Sequence, residues 1–483
     1  MTAQTAKFVE GSTMRHILVM SGTASIGLMA LFVVDLLDMM FISMLGQVEL
    51  AAAVGFAGTL IFFSTSVCIG LSIAMGALVS RALGAKQRDK ARELVISTLS
   101  VSFIISVAVT AVMFVYIPEL LSAIGAQGYA AERAEAYLSI LLPSSPVIAL
   151  AMASGAGLRA AGDAKRSMWA TLSGGIVNAI LDPIFIFGFN WNVEGAAIAS
   201  VIARFTVLFF SLYPLIKVHN LVAMPTLASI KINFSAILAI GIPAIITNTA
   251  TPIGNAIVTS SIAQFGEDYV AGFAVIGRLM PVAFAVIFAL SGAVGPIIGQ
   301  NFGAERFDRV KDTLNNSLLF VTIYCVLVSI LLYLLQGLIV DSFSLTGDAA
   351  VIVIAFCSYV SISFVFNGAL FVANASFNNL GKPFYSTMLN LGKATLGTLP
   401  FVYFGAEWFG ALGVIYGQAV GSVLFGVLGI MVLRKHIADL DQHLDIELEE
   451  EDPATRSVTM TPFCSSECVS TKEIPIKQQD LME

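Results

Sequence analysis

Charged side chains are scarce in this sequence. Asp, Glu, Lys and Arg make up 12% of its 483 residues, whereas apolar residues make up 57% and the mean hydropathy is +0.88. Soluble domains carry about 25% charged residues, and no long polar stretch occurs here before about residue 435. An ordinary soluble protein is therefore excluded, and the composition indicates a chain that lies in a lipid bilayer.

Several kinds of functional site are missing as well. No basic patch with interleaved aromatic residues occurs, and the net charge of −7 owes much to an acidic C-terminal tail, so we expect no nucleic-acid binding. No nucleophile–base pair or metal-ligand cluster falls within the apolar runs, and no Gly-rich phosphate loop with a lysine is present. The sequence therefore predicts neither an enzyme nor an ATPase, and it predicts no cofactor and no metal.

Cysteine is also rare. Cys68, Cys325 and Cys357 lie in apolar segments, where cysteine usually acts as a small hydrophobic residue. Cys464 and Cys468 form a C-x-x-x-C pattern in the tail, which leaves a metal site or a disulfide open although no second pair accompanies it. No cleavable signal peptide is evident, because the first apolar stretch is long enough to span a membrane.

Long apolar runs dominate the sequence instead. A helix needs about 20 residues to cross a bilayer. The runs predict twelve spans, numbered 1 to 12 in chain order: 14–45, 50–80, 94–117, 133–159, 166–189, 194–216, 232–263, 268–299, 313–335, 348–377, 384–405 and 410–434. Several exceed the required length, which indicates tilt, kinks or protrusion from the bilayer. The predicted fold class is an all-α polytopic membrane protein.

The loops between the spans differ strongly in basic content. With the N-terminus placed in the cytoplasm, 21 of the 25 Lys and Arg residues fall on the cytoplasmic side. Only Arg133 falls outside, and the remaining three, Arg204, Arg278 and Lys393, lie within spans. Because cytoplasmic loops are enriched in Lys and Arg, this asymmetry predicts twelve spans with both termini in the cytoplasm.

The chain also repeats itself. "ALGAKQRDKARELVISTL" at 82–99 is similar to "NFGAERFDRVKDTLNNSL" at 301–318, and "GDAKRSMWATLSGG" from Gly162 is similar to "GKPFYSTMLNLGKA" from Gly381. Both pairs are 219 residues apart, which predicts two six-helix bundles related by a pseudo-two-fold axis along the membrane normal. The predicted domains are a cytoplasmic N-terminus (1–13), an N-lobe (14–216), a cytoplasmic linker (217–231), a C-lobe (232–434) and a flexible cytoplasmic tail (435–483).

Six Asp, Arg and Lys residues lie away from the ends of the predicted spans, where each costs about 2.5–3.5 kcal/mol on insertion scales and needs an explanation. They are Asp35, Asp38, Asp182, Arg204, Arg278 and Lys393. For the three basic residues we expect structural or gating roles, such as neutralising an acid of the same lobe or contacting backbone carbonyl groups.

Asp35 and Asp38 lie three residues apart in "LFVVDLLDMMFI" and are therefore neighbours on a helix. We expect Asp35 to be the more confined carboxyl and Asp38, one turn nearer the outside, to reach interfacial water. Each carboxylate disfavours ionisation of the other, so Asp35 is expected to bind and release a proton near neutral pH. A static hydrogen bond between helices is the alternative.

Asn178 and Asp182 lie four residues apart, which places the amide and the carboxyl on one face of span 5. Pro183 follows at once and disfavours helical geometry at Asp182. An inward-facing polar cluster is the favoured interpretation, and a polar residue reaching the lipid headgroups is the alternative.

With these features the chain resembles the multidrug and toxic compound extrusion (MATE) family over about residues 14–434, and within it the DinF-like branch. The segments that carry the resemblance are "VVDLLDMMFISMLGQVELAAAVGF", "GLRAAGDAKRSMWATLSGGIVNAILDPIFIFG", "NVEGAAIASVIAR" and "VGPIIGQNFGA". The resemblance implies that Asp35 binds the coupling proton together with Asn178 and Asp182, and that Tyr137 and Ser200 match further polar members. The other expected supporting residues are Asp38 and Arg204.

Two features depart from the family pattern. Many relatives carry a proline in the first half of helix 1, whereas this chain has Met20 near that place, so bending would rely on Gly22 and Gly27. Where relatives place an asparagine in helix 4, this chain reads "ASGAG", so that Ser154 or water would substitute.

The second half lacks acids where the sodium-coupled branch has them. At the repeat offset Asp35 corresponds to Gly254, residues 232–263 contain no acid, and span 10 offers Asn367 and Asn374. This favours coupling to protons through the N-terminal half, with sodium coupling as the less favoured alternative.

Together these observations predict a proton-coupled antiporter of the bacterial inner membrane, a monomer surrounded by membrane lipids, that exports lipophilic or cationic small molecules. The alternatives are a sodium-coupled drug antiporter and a flippase of a lipid-linked intermediate. In the flippase, the basic residues Arg204, Arg278 and Lys393 would bind an anionic headgroup.

Overall fold

The computed structural model describes residues 6–451, without the side chains at 43, 48 and 441–451, and every regular element in this range is helical. The α-helices are α1 (Thr13–Ser43), α2 (Val48–Gly84), α3 (Arg88–Val115), α4 (Ile117–Ala123), α5 (Gly128–Leu141), α6 (Ser145–Ala160), α7 (Ala164–Pro183), α8 (Asn192–Lys217), α9 (Leu227–Ala263), α10 (Glu267–Ala283), α11 (Ala285–Gly303), α12 (Phe307–Ser342), α13 (Gly347–Ala355), α14 (Phe364–Asn379), α15 (Pro383–Ala394) and α16 (Leu399–Glu451). The predicted all-α fold class is confirmed.

Residues 1–434 belong to one compact unit and residues 435–483 to a second. We call α1–α8 the N-lobe and α9–α16 up to Arg434 the C-lobe. In the second unit the described residues are helical as far as Glu451. Cys464 and Cys468, for which the sequence left a metal site or a disulfide open, lie outside the described residues.

Eleven helical stretches within the described residues are long and apolar enough to cross a membrane. The last of them, Pro383–Leu440, contains both predicted spans 11 and 12. These two are separated at Gly410, whose backbone leaves the helical region at φ 62° and ψ −144°. The eleven stretches therefore correspond to the twelve predicted spans.

The two lobes repeat each other closely. Each α-helix start at Arg88, Gly128, Ser145 and Ala164 has a counterpart 219 residues later, at Phe307, Gly347, Phe364 and Pro383. Residues with positive φ recur at the same offset: Lys86 with Glu305, Gly125 with Ser344, Gly128 with Gly347, and Gly162 with Gly381. The repeat inferred from two loop sequences therefore extends to the backbone conformation of the turns.

Both lobes break their fourth crossing at matching positions. A 3-10 turn at Leu142–Ser144 separates α5 from α6, and its counterpart at Ser361–Ser363 precedes α14. In the N-lobe Pro143 and Pro146 remove helical hydrogen bonds around the break. Helix α1, by contrast, runs unbroken from Thr13 to Ser43. Helix α1, which lacks the proline that many relatives carry, is therefore continuous.

The lobes meet at the end that carries the loops 84–88, 160–164, 218–226, 303–307 and 380–383, which we call the basic face. Here α2 and α11 cross almost backbone to backbone: a Cβ on Gly84 would lie 2.0 Å from the Gln300 carbonyl oxygen, and one on Gly303 would lie 2.1 Å from that of Arg81. Real Cβ atoms do not approach so closely, so only glycine fits at these two positions.

A short N-terminal segment seals the same end. The Phe8 ring is only 1% exposed, its N–H donates to Gln300 Oε1 at 2.9 Å, and its carbonyl accepts from Arg309 at 2.9 Å. Lys7 donates from Nζ to the Gly162 carbonyl at 2.8 Å. The segment therefore joins an N-lobe loop to the C-lobe helices α11 and α12.

Candidate functional site

One face of α1 packs along α7 and determines which of its carboxyls enters the N-lobe. Gly27 faces Thr171, and Val34 lies against Gly175, where a Cβ would be 3.2 Å from the valine side chain. Residues 27, 34 and 38 share this face, because four residues advance a helix by just over one turn. Asp38 is therefore the next side chain directed at α7.

Asp38 and Asp182 meet through their carboxyl groups, which lie within hydrogen-bonding reach of each other. On the other side of Asp182, Asn178 donates from Nδ2 to Oδ2 at 2.9 Å. Asp182 is fully buried and sits next to Pro183, after which the chain forms a π-helical turn over Ile184–Gly188. The predicted pairing of Asn178 with Asp182 on one helix face is present in the structure.

The contact between the two acids requires a proton. Within the described residues, one oxygen of each carboxyl (Oδ1 of Asp38 and Oδ1 of Asp182) is buried without a hydrogen-bond donor. Ionised carboxylates only accept hydrogen bonds, and two of them side by side repel. A stable contact therefore contains one shared proton, and loss of that proton would place two negative charges together.

The other predicted polar residues surround this pair. Tyr137 is buried, is hydrogen-bonded to Ser200, and lies within electrostatic range of both acids and of Arg204. Arg204 donates to the Leu141 carbonyl at 3.1 Å and to Ser144 Oγ at 2.8 Å. The arginine thus satisfies the backbone exposed by the break between α5 and α6, which agrees with the expected structural contact to a carbonyl.

Asp35 is the predicted site residue that the structure does not bring into the cluster. It is exposed, whereas Asp38 is half-buried. This differs from the expectation that Asp35 is the more confined carboxyl. The reason is geometric, because Asp35 follows Val34 and is therefore rotated about 100° away from the face that packs on α7.

The remaining basic residues inside the spans have different surroundings. Lys393, at the end of α15, donates from Nζ to Asn367 Oδ1 on α14. Arg278 is exposed on α10.

Ser154, which was expected to replace a family asparagine, is buried, and its Oγ has no partner among the described residues.

Outside the spans, Asp163 organises a loop of the basic face. It caps α7 by accepting from the Arg166 N–H at 3.1 Å, and it also accepts from His219 Nε2 at 2.8 Å. Burial alone would raise the pKa of Asp163, but the hydrogen bonds from His219 and Arg166 outweigh it and hold the pKa well below its usual range. Asp163 is therefore ionised at any physiological pH.

The described residues contain no group of three or more His, Cys, Asp or Glu side chains that could hold a metal ion. The N-lobe cluster contains three kinds of hydrogen-bonding group: carboxyls, an amide and hydroxyls. Such a set can bind, share and release a proton within the membrane.

Comparison with known proteins agrees with the repeat and with the helical fold. The MatE family model matches residues 24–184 and matches again at 243–404, so the two matches begin 219 residues apart. The chain belongs to the MatE family. The predicted resemblance to MATE transporters is thereby confirmed.

Relatives of this chain include transporters whose names give different substrates. This chain is 28% identical to the FAD transporter of Shewanella oneidensis, in an alignment that covers 86% of this chain and 92% of that protein. It is 25% identical to the multidrug export protein MepA of Staphylococcus haemolyticus, covering 88% and 94%. A mutant of the Vibrio cholerae MATE transporter VcmN shares the fold, with a TM-score of 0.84 at 24% identity over 88% of this chain and 97% of that one.

Proposed function

We propose that this protein is a proton-coupled exporter of small organic compounds in a bacterial inner membrane. The observation that carries the proposal is the carboxyl pair Asp38–Asp182, which lies within two helices long and apolar enough to cross a membrane and is stable only with a shared proton. Membership of the MatE family supports the transporter class. MepA, a relative over most of its length, supports multidrug export.

The proton on this pair controls how α1 packs on α7. With the proton, Asp38 and Asp182 attract each other, and Asn178 completes the coordination of Asp182. Without it, adjacent negative charges push the two helices apart. Asp35, exposed one turn from Asp38, supplies protons from water to the pair. Proton binding and release thereby change the shape of the N-lobe.

The basic face is taken as cytoplasmic, as the distribution of Lys and Arg predicts. In the described residues, the hydrogen bonds that join the lobes lie near this face, including Phe8 to Gln300 and Ser80 to Asn379. These contacts support assigning the structure to a state closed to the cytoplasm. Export requires the Gly84–Gly303 crossing and the Phe8 contact to open in turn, as alternating access demands.

The coupling ion is tested with purified protein in proteoliposomes. Efflux of a fluorescent cation such as ethidium is followed under an imposed proton gradient, and in a parallel arm under an imposed sodium gradient at equal pH. We expect the proton gradient alone to drive transport. Transport driven only by sodium would establish the sodium-coupled alternative and remove the role assigned to the acid pair.

Export of an anionic flavin is a second candidate. The relative from Shewanella oneidensis is named as an FAD transporter, and Lys393 supplies a half-buried cation inside the C-lobe. Efflux of FAD from loaded proteoliposomes, compared with ethidium, separates the two substrates. A lipid-scrambling assay on the same preparation tests the flippase alternative.

A further inference from the structure

The hairpin of α14 and α15 places a cation inside the C-lobe. Lys393 lies ten residues into the crossing that begins at Pro383, which corresponds to a depth of about 15 Å along the helix. Its Nζ donates to Asn367 Oδ1 on the neighbouring helix. The Lys393–Asn367 contact thus fixes which faces of the two helices are turned toward each other.

The same faces carry a second polar pair. Asn374 follows Asn367 by seven residues, and Ser386 precedes Lys393 by seven. Seven residues make almost two full turns, so each pair shares one face of its helix. Because the Lys393–Asn367 contact joins these faces, Asn374 and Ser386 both lie on the facing sides of the two helices, about two turns nearer the basic face.

The polar atoms of this second pair lack protein partners among the described residues. Asn374 Oδ1 and Ser386 Oγ are both buried without a hydrogen-bond partner among the described residues. Buried polar groups normally have a partner, and water or a ligand group supplies it where protein does not. The α14–α15 interface is therefore a polar track that ends at Lys393.

Lys393 has no carboxylate of its own. No acid in the described residues forms an ion pair with it. The acids of the C-lobe lie in loops or within two turns of a helix end or break: Glu267, Asp268, Glu305, Asp308, Asp312, Asp341, Asp348 and Glu407. A cation at this depth without an acidic partner is costly, which indicates that an anion from outside the chain completes it.

Aromatic residues share the side of α14 that carries Asn367, the partner of Lys393. Phe364 and Phe371 lie three residues before and four after Asn367, and hence on the same side of α14. The Phe364 ring stacks on Phe284 with centroids 4.0 Å apart, and the Phe371 ring lies 5.5 Å from that of Phe288. The side of α14 that carries Asn367 therefore also carries aromatic ring contacts with Phe284 and Phe288, and aromatic faces suit a planar ring system.

We infer that Lys393 and Asn367 form a C-lobe binding site for the anionic group, a phosphate or carboxylate, of a transported aromatic compound. This inference rests on the proposed transport function and names the class of substrate. In this inference each lobe has its own role: the N-lobe acids bind the proton, and the C-lobe cation binds the anionic end of the substrate.

The site is tested by equilibrium binding to purified protein in detergent, using flavin fluorescence. Riboflavin and FMN share one ring system and differ by a single phosphate. We expect wild-type protein to bind FMN at least about tenfold more tightly than riboflavin, because a charge-assisted contact to a desolvated cation contributes on that scale. Lys393→Gln should lower FMN affinity about tenfold and change riboflavin affinity less than about twofold.

Two further variants keep the test decisive. Lys393→Arg retains the charge and should keep the preference for FMN. Lys382→Gln makes the same charge change in the exposed turn of this hairpin and should alter neither affinity. Equal affinity of wild type for the two flavins, absence of FMN binding, or an equal loss of both flavins in Lys393→Gln contradicts the site. Thermal unfolding of each variant distinguishes loss of the site from loss of the fold.

The binding assay needs no ion gradient, so its result tests the anion site independently of the transport proposal. If the proton gradient drives no efflux but the FMN preference depends on Lys393, the transport mechanism is wrong and the anion site remains. If Asp38→Asn abolishes efflux while Lys393→Gln leaves the FMN preference intact, the anion site is wrong and the coupling mechanism remains.

Discussion

Asp38 on α1 and Asp182 on α7 touch through their carboxyl groups, and only a shared proton makes that contact favourable. The contact joins the first helix of the N-lobe to its fifth crossing. Since both acids are part of helix packing, a change of one proton alters a helix–helix interface as well as a charge. This relationship connects ion binding to a change of shape.

The amide of Asn178 supports the ionised form of Asp182 through one hydrogen bond. We predict that Asn178→Ala lowers proton-driven efflux about tenfold, because a buried carboxylate loses a donor that contributes about 1.5–3 kcal/mol. Efflux rates in proteoliposomes measure the effect. Asn248→Ala is the matched control, since among the described residues the Asn248 amide donates to its own helix, at the Ala244 carbonyl. Equal rates for the two variants would contradict the role of Asn178.

The crossing of α2 and α11 admits no side chain at Gly84. We predict that Gly84→Ala forces the lobes apart at the basic face and lowers the free energy of unfolding by about 1–3 kcal/mol, with a matching loss of transport. Thermal unfolding and efflux measure both consequences. Gly76→Ala, in the same helix, is the control, because a Cβ at Gly76 meets nothing within 4 Å. An unchanged Gly84→Ala variant would show that the closed crossing is not used.

The N-terminal segment stabilises the closed basic face through Phe8. Removing the ring in Phe8→Ala should cost about 3 kcal/mol of packing and shift the population toward the state open at this face. Spin labels at the exposed positions Lys165 and Asp308, one in each lobe, report the change as a longer distance by electron resonance. Phe8→Leu, which keeps an apolar side chain, should shift the distance less. A distance distribution that does not respond to Phe8→Ala would remove the segment from the mechanism.

Asp163 links stability to pH outside the membrane. Its pKa in the folded protein lies below the usual value of about 3.9, so its contribution is complete at neutral pH and is lost as the pH falls through about 4 toward the folded pKa. We predict that Asp163→Asn lowers stability at pH 7 by about 1 kcal/mol, and that the difference from wild type shrinks below pH 4. Asp89→Asn, whose side chain is 97% exposed, should show neither effect.

Most of the fold could be predicted because its determinants are local. Long apolar runs, basic loops and two loop sequences at one offset were enough for twelve crossings in two lobes. The breaks were harder to predict. Residues 361–363 form a 3-10 turn without a proline, so the repeat relation to 142–144 is the signal that could have located it.

The spacing of the charges alone could not show which carboxyl of α1, Asp35 or Asp38, enters the N-lobe cluster. Depth along the span favoured Asp35, but the direction of a side chain depends on which face packs against another helix. The signal was present in the small residues Gly27 and Ala30, which with Val34 and Asp38 mark one face of α1. The lone cation Lys393 was visible in the sequence, whereas its contact with Asn367 required the tertiary structure.

The most direct test of the central claim compares three single variants in proteoliposomes under an imposed pH gradient. We predict that Asp38→Asn and Asp182→Asn each abolish proton-driven efflux, because an amide cannot exchange the shared proton. Asp35→Asn, outside the pair, should lower efflux at most severalfold. Full efflux by Asp38→Asn or Asp182→Asn, or complete loss confined to Asp35→Asn, would contradict the assignment of the coupling proton to the Asp38–Asp182 pair.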